Sequence, residues 1–308
     1  MKINSRTIKT IFVLFSLGMV TFLIYQNNSL SVTNYIYRNP ELPEGFHGYK
    51  IAQISDLHNK NFHGRLTEKV KEAEPDIIVI TGDLIDSRNT KIDTAVNFVR
   101  QAVKIAPTYF VSGNHEQSSK EYDLLKKELK KLNVQIIDNY YTTLIQNGGE
   151  IGLMGIADPA IEQNKKPYFR HDSNRYIENN LERLFNRAST DFNILLSHRP
   201  EYFDLYKDMN IDLVFCGHAH GGQIRIPFNG GIFAPGQGLF PKYTDGIHSD
   251  GETSMVVSRG LGNSIFPFRI FNRPELVLVT FCSVKQGDGS LKQGQTGGRF
   301  FCLTIILE

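Results

Sequence analysis

The stretch Phe215-Cys216-Gly217-His218-Ala219-His220-Gly221-Gly222-Gln223 decides how the chain is read. The apolar run Ile211 to Cys216 reads as a buried strand. It ends in two histidines set two residues apart, with glycine on both sides. Neutral imidazoles are good ligands for divalent transition metals, and flanking glycines let the backbone turn tightly and let a substrate approach. A metal site is therefore the first hypothesis. A solvated turn is the commoner fate of such a pair, so the reading depends on partners elsewhere in the chain.

Those partners lie upstream, each at the end of an apolar run. Tyr49 to Ile54 ends in Ser55-Asp56-Leu57-His58, and Asp76 to Ile80 in Thr81-Gly82-Asp83. Tyr109 to Val111 ends in Ser112-Gly113-Asn114-His115-Glu116, and Phe192 to Leu196 in Ser197-His198-Arg199-Pro200. Between the runs, Ile92, Ala95, Val96, Val99 and Val103 recur at helical spacing. Leu125, Leu129 and Leu132 do so after the third run, and Ile177, Leu181, Leu184 and Phe185 before the fourth. Apolar strands joined by crossover helices imply α/β architecture with sheets buried by helices. Short strands are expected around 135–137, 143–145 and 151–156, with closing strands at 254–258 and 275–281. In open sheets of this kind ligands collect at the carboxyl ends of strands.

The polar residues gathered there are Asp56, His58, Asp83, Asn114, His115, His198, His218 and His220. Carboxylate, amide and imidazole donors together suit Mn, Fe, Zn or Co better than Ca or Mg, which prefer all-oxygen shells. These are more donors than one tetrahedral ion takes, and seven remain even with His115 set aside. Two ions about 3.5–4 Å apart, sharing a carboxylate, suit in-line displacement at phosphorus. Taken singly, Asp56, Asp83 and Asn114 read equally well as helix N-caps or turn residues.

Asp56-x-His58, Gly82-Asp83, Gly113-Asn114-His115-Glu116, His198 and Gly217-His218-Ala219-His220 resemble, in order, the five signature blocks of the calcineurin-like metallophosphoesterases. The resemblance covers about 49–281 and implies a four-layer αββα sandwich. It also implies hydrolysis of a phosphoester by a hydroxide bridging two divalent ions. One ion would be held by Asp56, His58, Asp83 and His220, the other by Asp83, Asn114, His198 and His218, with His115 as general acid. The amino-terminal segment and the Gly221-Gly222-Gln223 extension look like the membrane-associated bacterial branch, which includes phosphodiesterases and UDP-2,3-diacylglucosamine pyrophosphatases. A non-catalytic metal-binding or scaffold module on the same fold is the alternative.

The 308 residues suffice for a substantial core. A net charge of +2 with no long basic face does not point to nucleic acid as the partner. Lys126, Lys127, Lys130 and Lys131 fall on a helix and read as a solvated face. Three cysteines cannot form a disulfide framework.

The amino terminus is distinct. Lys2, Arg6 and Lys9 precede an uncharged apolar run from Thr10 to about Leu30, close to the ~20 residues a spanning helix needs. No small-x-small cleavage signature follows, so an uncleaved signal anchor over 1–28 is expected, with basic residues inside and the domain outside the cell. Residues 29–48 read as a linker or leading strand, 49–281 as the catalytic domain, and 282–308 as a flexible Gly- and Gln-rich tail. Arg199, Gly222 and Gln223 are candidates for contacting substrate, although Arg199 reads equally well as structural. Phe233, Phe240, Phe266 and Phe268 could form an apolar rim or pack on the domain. His47, His63, His171 and His248 lie outside the blocks and read as surface or loop residues, with His63 the nearest to a block.

Overall fold

The computed structural model describes residues 4–161, 172–264, 266–283 and 304–306. Strands β1 (Ser31–Asn39), β2 (Lys50–Ile54), β3 (Ile77–Thr81), β4 (Thr108–Val111) and β5 (Gln135–Ile136) belong to one sheet. β6 (Tyr140–Gln146), β7 (Gly149–Gly155), β8 (Asn193–Leu196) and β9 (Leu213–Cys216) belong to a second. Two short hairpins follow, β10 (Arg225–Ile226) with β11 (Gly230–Gly231), and β12 (Phe233–Ala234) with β13 (Gly238–Leu239). β14 (Gly246–Asp250) and β15 (Thr253–Val257) return to the second sheet, while β16 (Glu275–Ser283) and β17 (Thr304–Ile306) complete the first. The first sheet runs β17-β1-β16-β2-β3-β4-β5, and the second β14-β15-β9-β8-β7-β6.

The helices are α1 (Ser5–Asn28), α2 (Arg65–Ala73), α3 (Ile92–Ala102), α4 (Asn114–Ser118), α5 (Tyr122–Lys131), α6 (Ser173–Phe185) and α7 (Phe203–Asp208). Three apolar layers hold the sandwich. The period-two alternation of strand side chains sends Ile51, Ile77 and Val79 inward, where they meet Leu153, Ile194 and Phe215 of the opposite sheet. The intervening Ala52, Ile78 and Ile80 point outward beneath Leu66, Val70, Val96, Val99, Leu125 and Leu129 of α2, α3 and α5. On the far side Met154, Leu195 and Val214 pack under Ile177, Leu181 and Leu184 of α6 and Phe203 and Tyr206 of α7. Both faces of each sheet are covered, which is why the central strands β3, β8 and β9 are buried along their whole length and why the αββα expectation holds.

The 29–48 stretch supplies β1, whose nine residues pair in parallel with β16. Most of the expected 282–308 tail lies outside the described residues. Thr304–Ile306 form an edge strand antiparallel to β1. α1 lies almost entirely outside the sandwich and is long and apolar enough to cross a membrane.

Candidate metal centre

Parallel strands β2, β3 and β4 of one sheet and β8 and β9 of the other all point their carboxyl ends to one edge of the sandwich. The turns leaving them carry every residue of the five blocks. Asp56, His58, Asp83, His218 and His220 have φ between 45° and 63°, the left-handed region that non-glycine residues seldom occupy. Such conformations each cost on the order of 1–3 kcal/mol, and they cluster where the surrounding structure imposes them for function. Close approach of the turns requires glycine at two positions. A Cβ on Gly217 would stand 1.9 Å from Ser55 Oγ, and one on Gly113 would stand 2.3 Å from Asp83 Oδ1.

The side chains meet in two groups. In the first, His58 Nε2 lies 3.1 Å from His220 Nε2, and Asp56 Oδ1 lies 3.4 Å from His220 Nε2. In the second, His198 Nε2 lies 3.2 Å from Asp83 Oδ2, 3.2 Å from Asn114 Oδ1 and 3.1 Å from His218 Nδ1. Asp83 Oδ2 is also 3.6 Å from His58 Nε2, which places this carboxylate between the groups. Asn114 and His115 are half-buried and the other six are buried, so the centre opens on the Asn114–His115 side.

Around these groups a layer of hydrogen bonds holds each donor in place. His198 Nδ1 donates to Thr81 O at 2.8 Å, which fixes the ring with Nε2 facing Asp83 and Asn114. Asp83 Oδ1 accepts from the His115 amide at 2.8 Å. Asp56 accepts from Ser55 Oγ at 2.6 Å and from the His218 amide at 3.1 Å. Glu116 is fully buried and accepts from the amides of Asp83, Gly113 and Ile85 at 2.7, 2.8 and 3.1 Å.

Burial governs the protonation states. It lowers His58 to about 3 and holds His218 and His220 well below the usual histidine range, so these rings are neutral with lone pairs free. At His198 burial acts the same way, but the Asp83 carboxylate outweighs it and raises the ring to about 10. Burial lifts Asp56 to about 6, against the pull of His198. Neutral nitrogens facing one another 3.1 Å apart beside carboxylates repel unless a proton or a cation lies between them. The donor set therefore fits divalent ions of the Mn, Fe, Zn or Co type.

The remaining sequence candidates fall outside this cluster. Arg199 donates to Asp158 at 2.6 and 3.2 Å and to Glu201 at 3.3 Å, so two carboxylates already engage its guanidinium. Gly222 and Gln223 are buried and line an apolar pocket just past His220. His47 and His63 are exposed, His248 is half-buried against Tyr243, and His171 lies outside the described residues.

Several supporting residues carry no signal in the sequence. The amides of Leu261 and Gly262, beyond β15, donate to Ser55 O at 3.1 Å and Asp56 O at 2.6 Å. Buried Arg269 approaches His220 Nδ1 at 3.4 Å, and Asn272 Nδ2 donates to His220 O at 2.7 Å. The one available hint was that polar residues and glycines recur in an otherwise structureless loop.

The calcineurin-like phosphoesterase family profile matches residues 49–222. An uncharacterized metallophosphoesterase, YkuE of Bacillus subtilis (strain 168), is 30% identical over 262 residues, covering 82% of this chain and 86% of that protein. Phosphodiesterase YaeI of Escherichia coli (strain K12) is 28% identical over 244 residues, covering 75% of this chain and 81% of its own. A Bos taurus transmembrane protein with a metallophosphoesterase domain is 32% identical over 250 residues, 76% of this chain and 53% of the bovine one. The chain belongs to the calcineurin-like phosphoesterase family and is a metal-dependent phosphoric ester hydrolase.

Proposed function

We propose that the chain is a membrane-tethered phosphodiesterase or pyrophosphatase acting on an envelope or lipid-linked phosphoester. In this reading Asp56, His58, Asp83 and His220 hold one cation, and Asp83, Asn114, His198 and His218 hold a second. The convergence of Asp83 Oδ2 on His58 and His198, at 3.6 and 3.2 Å, carries the reading. Two divalent cations bound there would activate water near neutral pH and neutralise charge on the phosphoryl oxygens. Water adds to phosphorus, the P–O bond to the leaving group breaks, and the leaving oxygen takes a proton.

The chain's residues set the stage for that exchange. Thr81 O keeps the His198 proton on Nδ1, and the His115 amide fixes the orientation of Asp83. His115 Nδ1 accepts from the Ser87 amide at 3.0 Å, so the proton of this ring sits on Nε2, where it can be offered to the leaving oxygen. α1 supports the tether, and Lys2, Arg6 and Lys9 on its amino-terminal side favour a domain outside the cytoplasm.

Full-length protein in detergent with Mn is expected to hydrolyse bis-p-nitrophenyl phosphate, to lose activity on chelation, and to regain it on adding Mn. Asp83→Asn is expected to abolish turnover. A parent protein inactive on every phosphoester tested would favour the non-catalytic module. For orientation, protease added to intact cells should reach the domain; protection until lysis reverses the topology.

A further inference from the structure

Beyond His220 four segments lie side by side. Ile224 pairs with Ile270, its carbonyl accepts from the Ile232 amide at 2.9 Å, and the Ile232 carbonyl accepts from the Phe240 amide at 2.8 Å. Between them is a pocket of about 220 Å³ whose walls include Gln223, Ile224, Ile232, Phe233, Pro235 and Phe266. The lining is almost wholly apolar, yet Phe233 and Phe266 remain 43% and 42% exposed. An open apolar pocket beginning two residues from a metal-ligand candidate is a place for an apolar part of a ligand.

The position of α1 says where that apolar part comes from. No charged residue falls between Lys9 and Arg38, and the helix ends at Asn28. Its uncharged length from Thr10 is about 28 Å at ~1.5 Å per residue, against a hydrocarbon core of about 30 Å. Spanning therefore uses the helix to its last turn, and that turn is fastened to the domain. Asn27 Oδ1 accepts from the Arg269 amide at 3.0 Å, and Gln26 Oε1 accepts from the Asn272 amide at 3.2 Å.

Phe22 meets Phe271 edge-on at 5.3 Å, about 9 Å up the helix from its end at ~1.5 Å per residue. Phe268 lines a second cavity with Val20, Leu23 and Ile24 of α1. Exposed Phe268 and Phe271 thus stand at the depth of the lipid, and Phe271 is held there at φ 51°. The same loop contributes Ser264 and Phe266 to the pocket, which brings the pocket to the bilayer surface.

We propose that this pocket takes an acyl chain of a membrane lipid phosphoester while its phosphoryl group lies at the Asp–His centre. The inference rests on the phosphoesterase reading for the reaction and on the α1 geometry for the lipid.

The chain contains no tryptophan, so a Phe266→Trp variant carries a single indole reporter. In vesicles of phosphatidylcholine with brominated acyl chains, the full-length variant should be quenched, as should a Leu17→Trp control within α1. Quenching at 17 without quenching at 266 overturns the proposal. A second arm compares hexadecyl and ethyl p-nitrophenyl phosphate. Phe233→Ser should lower kcat/KM about tenfold for the hexadecyl diester and change the ethyl diester by less than about twofold. Equal effects on the two, or none, overturn it. Hydrolysis of neither diester by the parent overturns the phosphoesterase reading instead, and the fluorescence result then decides by itself whether lipid enters the pocket.

Discussion

Glu116→Gln tests the support of the centre without touching a metal-ligand candidate. Glu116 Oε2 accepts from the amides of Asp83 and Gly113, and Oε1 from that of Ile85. Glutamine keeps the shape but replaces one oxygen by NH2. With its oxygen on the two-bond side, its NH2 faces the Ile85 amide, donor against donor. Burial and the neighbouring Asp83 carboxylate raise the Glu116 carboxyl to about 8, so above that pH, where it is ionised, each buried bond to it contributes about 1.5–3 kcal/mol, and the two bonds that survive in the glutamine variant lose this charge assistance. A destabilisation of about 3 kcal/mol is expected, which lowers the melting temperature by about 6–10 °C. Glu116→Ala would orphan all three amides at roughly 1–3 kcal/mol each, a large part of a total stability of about 5–15 kcal/mol, so it is the less informative variant. Because the amides in question belong to Asp83 and to the residue preceding Asn114, cation affinity should fall about 10–100-fold, the range for outer-layer supports. Thermal unfolding with chelator present reads the first effect and calorimetric titration with Mn reads the second. Saturating Mn should restore most of kcat. Parental Mn affinity and parental melting temperature together would refute the reasoning.

His115→Ala should lower kcat by about 10²–10⁴ while leaving Mn affinity within a few-fold, read by steady-state kinetics beside titration. Asp212 offers a pH test remote from the centre. Burial raises its carboxyl to about 7, partly offset by the Asn193 amide at 2.8 Å. With a folded pKa above the unfolded one, its contribution to stability is full below about pH 4 and is lost as pH rises through 7. Asp212→Asn should therefore leave the melting temperature unchanged near pH 4 and raise it at pH 8, by at most about 4 kcal/mol of stability. Chelation of the parent at neutral pH should lower its melting temperature, since ions that bind only the folded state stabilise it, and Mn should reverse the shift.

The layered fold was legible because short apolar runs alternate with 3.6-period segments, and each run stops at Asp, Asn, Gly or His. The centre was legible for the same reason, since strand ends concentrate ligands whatever their distance in sequence. β1 was ambiguous because Ser31–Asn39 mixes polar and aromatic residues and its partner strand comes near the end of the chain. Arg199 shows the opposite limit. Nothing local announces that Asp158, on a distant loop, holds its guanidinium. Glu116 was visible as a residue type in a block, but the convergence on it of two amides from the turn after β3 and one from the turn after β4 is a tertiary fact.

β16 has a consequence for the order of synthesis. Ser31 of β1 pairs with Glu275, and the other edge of the same strand pairs with β2, as in Ile51 with Val279. The strand that joins β1 to its sheet is thus made only after the strands that carry the metal centre. β2, β3 and β4 can assemble early through short crossovers, whereas β1, which directly follows α1, waits with both edges unpaired. Such long-range closure is intrinsically slow, and an unpaired strand invites association with other chains. Chains cut short before Glu275 should therefore accumulate as aggregation-prone intermediates, even though every block of the metal centre is already present in them.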